Sequence, residues 1–226
     1  MNIMTFSGWA FPDNILDKLL PEAQITNWQH GFFSDASSYE DFSAKLQKEP
    51  HHLVAYSLGG LTALKLAADF PKQVLSLTLI SCFDEFTAVE APRAQKLAVR
   101  QLQRMIDAFN EDPLTVSQNF YLRTILPVED KTYELPEDFN KEQLAAGLEQ
   151  LRDISRSDIL EKISCPTLIL HGEQDLIVEA FKAHRLRSHL KNSQLIFIKD
   201  RGHALPLTSE NSLRKNISNF IKNTDT

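Results

Sequence analysis

Short apolar runs separated by amphipathic stretches set the rhythm of the chain. Asn2–Phe6, Gln24–Trp28, Val74–Ile80 and the segments 53–56, 166–171 and 194–198 are brief hydrophobic runs bounded by turn-forming residues, the pattern of strands. Val74–Ile80 is almost wholly apolar and is predicted to be buried on both faces. Between the runs the period lengthens to that of helices. Segment 13–20 ends at Pro21, Tyr39–Lys48 turns Phe42 and Leu46 inward, and 58–68, 180–190 and 210–222 follow later strands. Residues 29–38 read as a loop. Strands alternating with helices predict an α/β fold, a mostly parallel open sheet covered on both faces. Residues 83–160 break the rhythm with helical periodicity and no clear strand. They are expected to be a helical insertion leaving the carboxyl end of a strand, where ligands bind in such sheets.

Composition narrows the class. With 226 residues, 42% of them hydrophobic, the chain suffices for one domain with a full core. A formal net charge of −6 argues against a general nucleic-acid binder. Cys82 and Cys165 lie far apart beside apolar runs, which fits free, buried thiols better than a disulfide. No basic-then-apolar leader precedes the first strand and no run approaches ~18 apolar residues, so a soluble, cytoplasmic protein with no membrane partner is expected. His51-His52 opens the strand at 53–56 and is expected to be solvated. Lacking a suitably spaced carboxylate or cysteine, the pair does not suggest a metal site.

The chemistry concentrates at strand ends. Ala55-Tyr56-Ser57-Leu58-Gly59 joins a strand directly to a helix with a serine at the junction, the nucleophile-elbow pattern with alanine at the first small position. A turn this tight demands small neighbours and a strained serine, while Gly59 and Gly60 let the helix approach the sheet. The helix start also aims free N–H groups at the place where negative charge would develop. Past the strand at 166–171 comes Asp175, and past the strand at 194–198 comes His203. A serine hydroxyl needs an imidazole to remove its proton, and the imidazole needs a carboxylate to orient it. Asp84, just past Val74–Ile80, is a rival for the acid; Glu173 sits too near its strand end to point the same way.

With these pieces in hand, the sequence resembles an α/β-hydrolase of the esterase and C–C-hydrolase type. The matching stretches are FSGWAF at 6–11, AYSLGG at 55–60, FPKQVLSLTLIS at 70–81, CPTLILHGEQDLIV at 165–178 and GHALPL at 202–207. The resemblance implies Ser57 as nucleophile, Asp175 as acid and His203 as base, with no cofactor. It also implies an oxyanion hole from the N–H groups of Leu58 and Trp9, since Ser7-Gly8-Trp9 matches the family's His-Gly-x turn with serine in place of histidine. The family usually has two strands before the one at Asn2–Phe6, so a trimmed sheet of about six strands is expected. Within the superfamily, AAGLEQLRDISRSDIL at 145–160 and the Ser-Leu-Gly-Gly elbow look most like the biotin-pathway carboxylesterases acting on pimeloyl-acyl-carrier-protein methyl ester. Similar elbows occur in menaquinone-pathway relatives, so a lyase or C–C hydrolase using the same triad is a second possibility, and a catalytically silent ligand binder is a third.

The insertion carries two further signals. Phe109, Phe120 and Tyr121 are placed either to line an acyl tunnel or to pack the insertion on the body, and Trp28 with Phe32-Phe33 either at the site mouth or beneath the insertion. In a helix over 92–109, Arg93, Lys96, Arg100 and Arg104 fall within an ~80° arc opposite Ala98, Leu102, Met105 and Phe109. Such a stripe is either an ordinary solvated face or a dock for an acidic partner, for which the resemblance suggests an acyl-carrier protein.

Overall fold

The computed structural model describes residues 1–20, 24–28, 38–128 and 139–224. Phe32, Phe33 and the side chain of Trp28 lie outside that description.

Six strands form one parallel sheet: β1 (Asn2–Phe6), β2 (Gln24–Trp28), β3 (His51–Tyr56), β4 (Val74–Ile80), β5 (Thr167–Gly172) and β6 (Ser193–Ile198). Their order is β2-β1-β3-β4-β5-β6, and their number and parallel pairing are those the sequence predicts. The chain runs outward from β1 to β2, then returns to lay β3 on the other side of β1, with Phe6 opposite Ala55. This reversal opens a crevice beyond the carboxyl ends of β1 and β3. The turn after β1 and the serine after β3 therefore meet there.

Alternation along β3 explains the two-sided core. Leu53 and Ala55 face a layer built from α1 (Tyr39–Lys48), α2 (Gly59–Asp69) and α6 (Ala180–His189), through Phe42, Leu64 and Leu186 among others. Val54 and Tyr56 face the opposite layer, where Leu213, Ile217 and Phe220 of α8 (Glu210–Thr224) pack beside Leu16 and Leu19. Each fully buried side chain of this kind contributes about 1.5–3 kcal/mol. Between β4 and β5 the described residues form three α-helices, α3 (Gln95–Glu111), α4 (Pro113–Ile125) and α5 (Lys141–Asp153). Asp112 caps α4 by accepting from the Thr115 N–H, and Asn140 caps α5 through the Gln143 N–H. A third apolar cluster, containing Leu102, Ile106, Phe109, Leu144 and Leu148, joins these helices to Trp9, Leu61 and Phe83 of the body. Completing the set is α7 (Leu205–Thr208). No described helix is long and apolar enough to cross a membrane.

Three expectations change. Segment 13–20 is a run of turns with a single 3-10 turn at Asp17–Leu19, whose N-cap Leu16 offers no side-chain acceptor; Leu16 and Leu19 hold it by burial instead. His51 and His52 are buried, at 4% and 1% exposure, because β3 is an interior strand. His52 Nδ1 meets Ser76 Oγ on β4 at 2.8 Å, and His51 Nδ1 lies 2.9 Å from the Glu49 carbonyl. Finally, α3 begins at Gln95, so Arg93 falls on the preceding 3-10 turn Pro92–Ala94 rather than on the helix. Cys82 and Cys165 are free and buried, as expected.

The two ends of the helical segment are pinned together. Glu85 pairs with Ser155 in an isolated antiparallel bridge, and the Arg156 N–H donates to the Asp84 carbonyl at 2.8 Å. Asp84 is fully buried, and its Oδ2 accepts from Arg185 Nε at 2.9 Å and Ser157 Oγ at 2.7 Å. Its role is therefore to join β4, the end of the helical segment and α6. Replacing Asp84 with alanine leaves these donors without their acceptor, a loss of about 1–3 kcal/mol after allowing for the partial exposure of Arg185. In thermal unfolding the midpoint is expected to fall by roughly 3–9 °C; an unchanged midpoint would show that the pin contributes nothing.

Candidate active site

Ser57 sits at the end of β3, every residue of which is buried, and its φ of 52° lies in the left-handed region that disfavours a side chain. Backbone pairing on both sides of the turn holds it: the Ser57 N–H donates to the Ile80 carbonyl at 2.9 Å, and the Gly60 N–H to the Ser57 carbonyl at 2.9 Å. Close approach accounts for the glycines. A Cβ at Gly59 would stand 2.4 Å from the Phe6 carbonyl oxygen, and one at Gly60 would stand 2.7 Å from Cys82 Sγ. With those atoms absent, the start of α2 rests directly on the sheet beneath the serine.

The acid and the base arrive from adjacent strands. Beyond β5, the loop places Asp175 where its Oδ1 accepts the N–H groups of Ile177 at 2.8 Å and Val178 at 2.9 Å. Beyond β6, the next loop brings His203 back over the sheet, and Ser81 Oγ donates to its carbonyl at 3.1 Å. His203 Nδ1 donates to Asp175 Oδ2 at 2.8 Å, while Nε2 accepts from Ser57 Oγ at 2.9 Å. The Asp175 and His203 side chains are fully buried. Burial by itself raises the Asp175 pKa, but the neighbouring His203, His171 and the Val178 N–H outweigh it, so the carboxyl is held below the usual range. Glu173 is exposed and Asp84 is occupied at the neck, so neither competes for His203.

His171, which the sequence reading takes only as the end of a strand, supports the acid loop. It is fully buried, its Nε2 donates to the Val178 carbonyl at 2.8 Å, and its Nε2 lies 3.7 Å from Asp175 Oδ2. Burial lowers its pKa against the pull of Asp175, so the ring is held neutral. Its placement depends on where Val178 folds back, which local periodicity does not reveal.

Trp9 and Leu58 converge beside the serine at the ends of β1 and β3. Neither backbone N–H donates to a protein acceptor among the described residues, so both stay available to a negatively charged oxygen. Trp9 is anchored from α5: its Nε1 donates to the Leu144 carbonyl at 2.7 Å, and its ring meets Phe109 and Phe120 edge-on with centroids 5.8 and 4.9 Å apart. Gly147 leaves the room for this, since a Cβ there would stand 2.7 Å from Trp9 Cδ1. Next to the site, a cavity of about 650 Å³ opens between α3, α4 and the acid loop, lined among others by Leu102, Val116, Phe120 and Ile177. The three insertion aromatics thus separate: Phe120 lines this cavity, Phe109 packs on Trp9, and Tyr121 packs toward Phe11 at 6.1 Å. Arg93, Arg100 and Arg104 are exposed and are not brought to Ser57.

A buried carboxylate, an imidazole and a strained serine in one hydrogen-bonded line, beside two free N–H groups, is the arrangement for nucleophilic acyl transfer. Comparisons with known proteins agree. Residues 21–210 match the family described as alpha/beta hydrolase fold. The chain is 30% identical over 217 residues, 87% of its length and 84% of the relative's, to the pimeloyl-[acyl-carrier protein] methyl ester esterase of Neisseria meningitidis serogroup C. Among solved structures it is similar to an esterase from Exiguobacterium antarcticum, with a TM-score of 0.82 and 20% identity over 98% of this chain and 92% of that one. It is also similar to MenH from S. aureus, with a TM-score of 0.75 and 18% identity over 100% of this chain and 95% of that one. At these identities the two structures speak to the fold alone. The chain belongs to the alpha/beta hydrolase family, and is one of its serine esterases.

Proposed function

We propose that the protein hydrolyses the methyl ester of a carrier-bound acyl chain, with pimeloyl-acyl-carrier-protein methyl ester in biotin synthesis as the substrate that its likeness to the Neisseria esterase suggests. The observation that carries the chemistry is the continuous line from Ser57 Oγ through His203 to Asp175. In this reading Ser57 Oγ attacks the ester carbonyl while His203 Nε2 takes its proton, and Asp175 stabilises the resulting imidazolium. The N–H groups of Trp9 and Leu58 bind the oxyanion, each contributing ~3 kcal/mol. His203 then returns the proton to the departing methoxide, activates a water against the acyl-enzyme and restores Ser57. Residues 83–160 act as a lid on a single domain, and the anchoring of Trp9 by α5 ties that lid to the oxyanion hole. Two buried free thiols suit a cytoplasmic setting.

The exposed stripe of Lys96, Arg100 and Arg104 on α3 supplies a dock for the acidic carrier, with Arg93 beside it on the preceding turn. Among the described residues none of the four forms an ion pair. On a chain of net charge −6 such a patch is suited to attract a negative partner.

Two measurements test this reading. With a methyl ester substrate, Ser57→Ala and His203→Ala should each remove nearly all turnover, and the double variant should be scarcely worse, because the residues act as one unit. Asp175→Asn should retain a small rate, lower by roughly 10⁴-fold, whereas Asp84→Asn should keep a kcat near that of the wild type. The reverse ranking of the two aspartates would overturn the assignment of the acid. For the dock, reversing Arg100 and Arg104 to glutamate should lower the ratio of kcat/KM for a carrier-bound ester to that for a short free ester by about tenfold, an effect that salt reduces. An unchanged ratio would remove the carrier from the proposal.

A further inference from the structure

Lys182, on α6, is a buried ammonium that the proposed mechanism does not use. The residue is 5% exposed. Its Nζ lies 5.1 Å from the centroid of the Phe86 ring and 5.4 Å from that of Phe181. The rings offset part of the charge, and among the described residues the Lys182 Nζ has no hydrogen bond or ion pair. Three donors largely shielded from bulk water cost free energy unless something pairs with them. Burial lowers the Lys182 pKa, and Glu179, Asp175, Asp84 and Glu85 counter it from a distance.

The position of this ammonium gives it a role. Lys182 lines the 650 Å³ cavity together with the apolar Leu102, Phe120 and Ile177. Phe120 is also a ring neighbour of His203, with centroids 6.4 Å apart. One wall of the cavity is therefore a single ring, Phe120, away from His203, and another part of its wall presents a cation across an apolar lining. Arg123 adds a second, exposed cation to the lining, and exposed Glu179 a single acid.

We infer that Lys182 receives a carboxylate carried on the acyl chain away from the scissile bond, so that the enzyme also hydrolyses half-esters of dicarboxylic acids. The inference rests on the serine-esterase reading of Ser57 and goes beyond it in substrate class. The apolar passage takes the methylenes, Ser57 takes the ester end, and Lys182 takes the free acid end. In the reaction the ester C–O bond breaks, the alcohol leaves with the proton held by His203, and oxygen from water joins the acyl carbon. The product is a dicarboxylate whose remote carboxylate has stayed on Lys182 throughout.

The test uses a length series of linear dicarboxylic monomethyl esters, each paired with the neutral methyl alkanoate of equal length. At one or two lengths the wild type should prefer the half-ester in kcat/KM, chiefly through KM. Lys182→Met should reduce that preference by about tenfold or more, as loss of a desolvated charge pair does, and Lys182→Arg should recover part of it. Free dicarboxylate of the preferred length should compete with a neutral ester in the wild type and lose that ability in Lys182→Met, a readout available even if the variant is less stable. Preference for the neutral ester at every length, or equal losses on both substrates with no change in competition, would overturn the inference while leaving the esterase intact. Failure of the wild type to hydrolyse any methyl ester would instead strike the reading of Ser57 as nucleophile, and the inference with it.

Discussion

Ser57 must adopt a left-handed backbone to lift its hydroxyl clear of the sheet, and much of the surrounding structure serves to hold it there. Strain of this kind costs ~1–3 kcal/mol and persists only when neighbours determine it from several sides. β3 is buried between β1 and β4, which fixes the approach to the turn. The departure is fixed by α2, which rests on the sheet because Gly59 and Gly60 carry no side chain. The same juxtaposition of β1 and β3 sets the Ser7–Gly8–Trp9 turn beside the serine. A single topological feature, the return of the chain across β1, thus brings Ser57 and the Trp9 turn together.

A second constraint is the burial of Asp175. A carboxylate removed from water is tolerated only when paired and hydrogen-bonded, and here two backbone N–H groups and His203 meet it, with His171 holding the loop from behind. The helical segment is coupled to both constraints rather than resting loosely above them. α5 accepts the Trp9 indole, Phe120 stands against both Trp9 and His203, and Asp84 pins the neck to α6. Movement of these helices would be felt both at Trp9 and at the His203 loop, where the Ala204 N–H donates to the Thr124 carbonyl of α4 at 2.9 Å.

The strands and the triad were legible in the sequence because each leaves a local mark. A short apolar run followed by Ser-Leu-Gly-Gly, Gly-Glu-Gln-Asp or Arg-Gly-His places chemistry at a strand end whatever the distant context. What depends on distant partners was not legible. The burial of His51 and His52 follows from β3 lying inside the sheet and from Ser76 arriving on β4. Whether an aromatic lines the cavity or packs is decided by helix rotation, which separated Phe120 from its neighbour Tyr121 on α4, and by the break at Asp112, which put Phe109 on α3. Arg93 left the basic stripe because α3 starts at Gln95. Lys182 showed no signal at all, since its sequence neighbours are those of an ordinary surface helix and one of the rings over its ammonium, Phe86, comes from far along the chain.

The account depends on Ser57 being an activated nucleophile rather than a serine in a tight turn, and covalent labelling tests that directly. Treated with a fluorophosphonate, the wild-type chain should gain the mass of one adduct, mapped by peptide analysis to Ser57, while His203→Ala should label at a rate lower by orders of magnitude. Labelling of His203→Ala as fast as the wild type, or an adduct on a residue other than Ser57, would contradict the assignment on which the proposed chemistry rests.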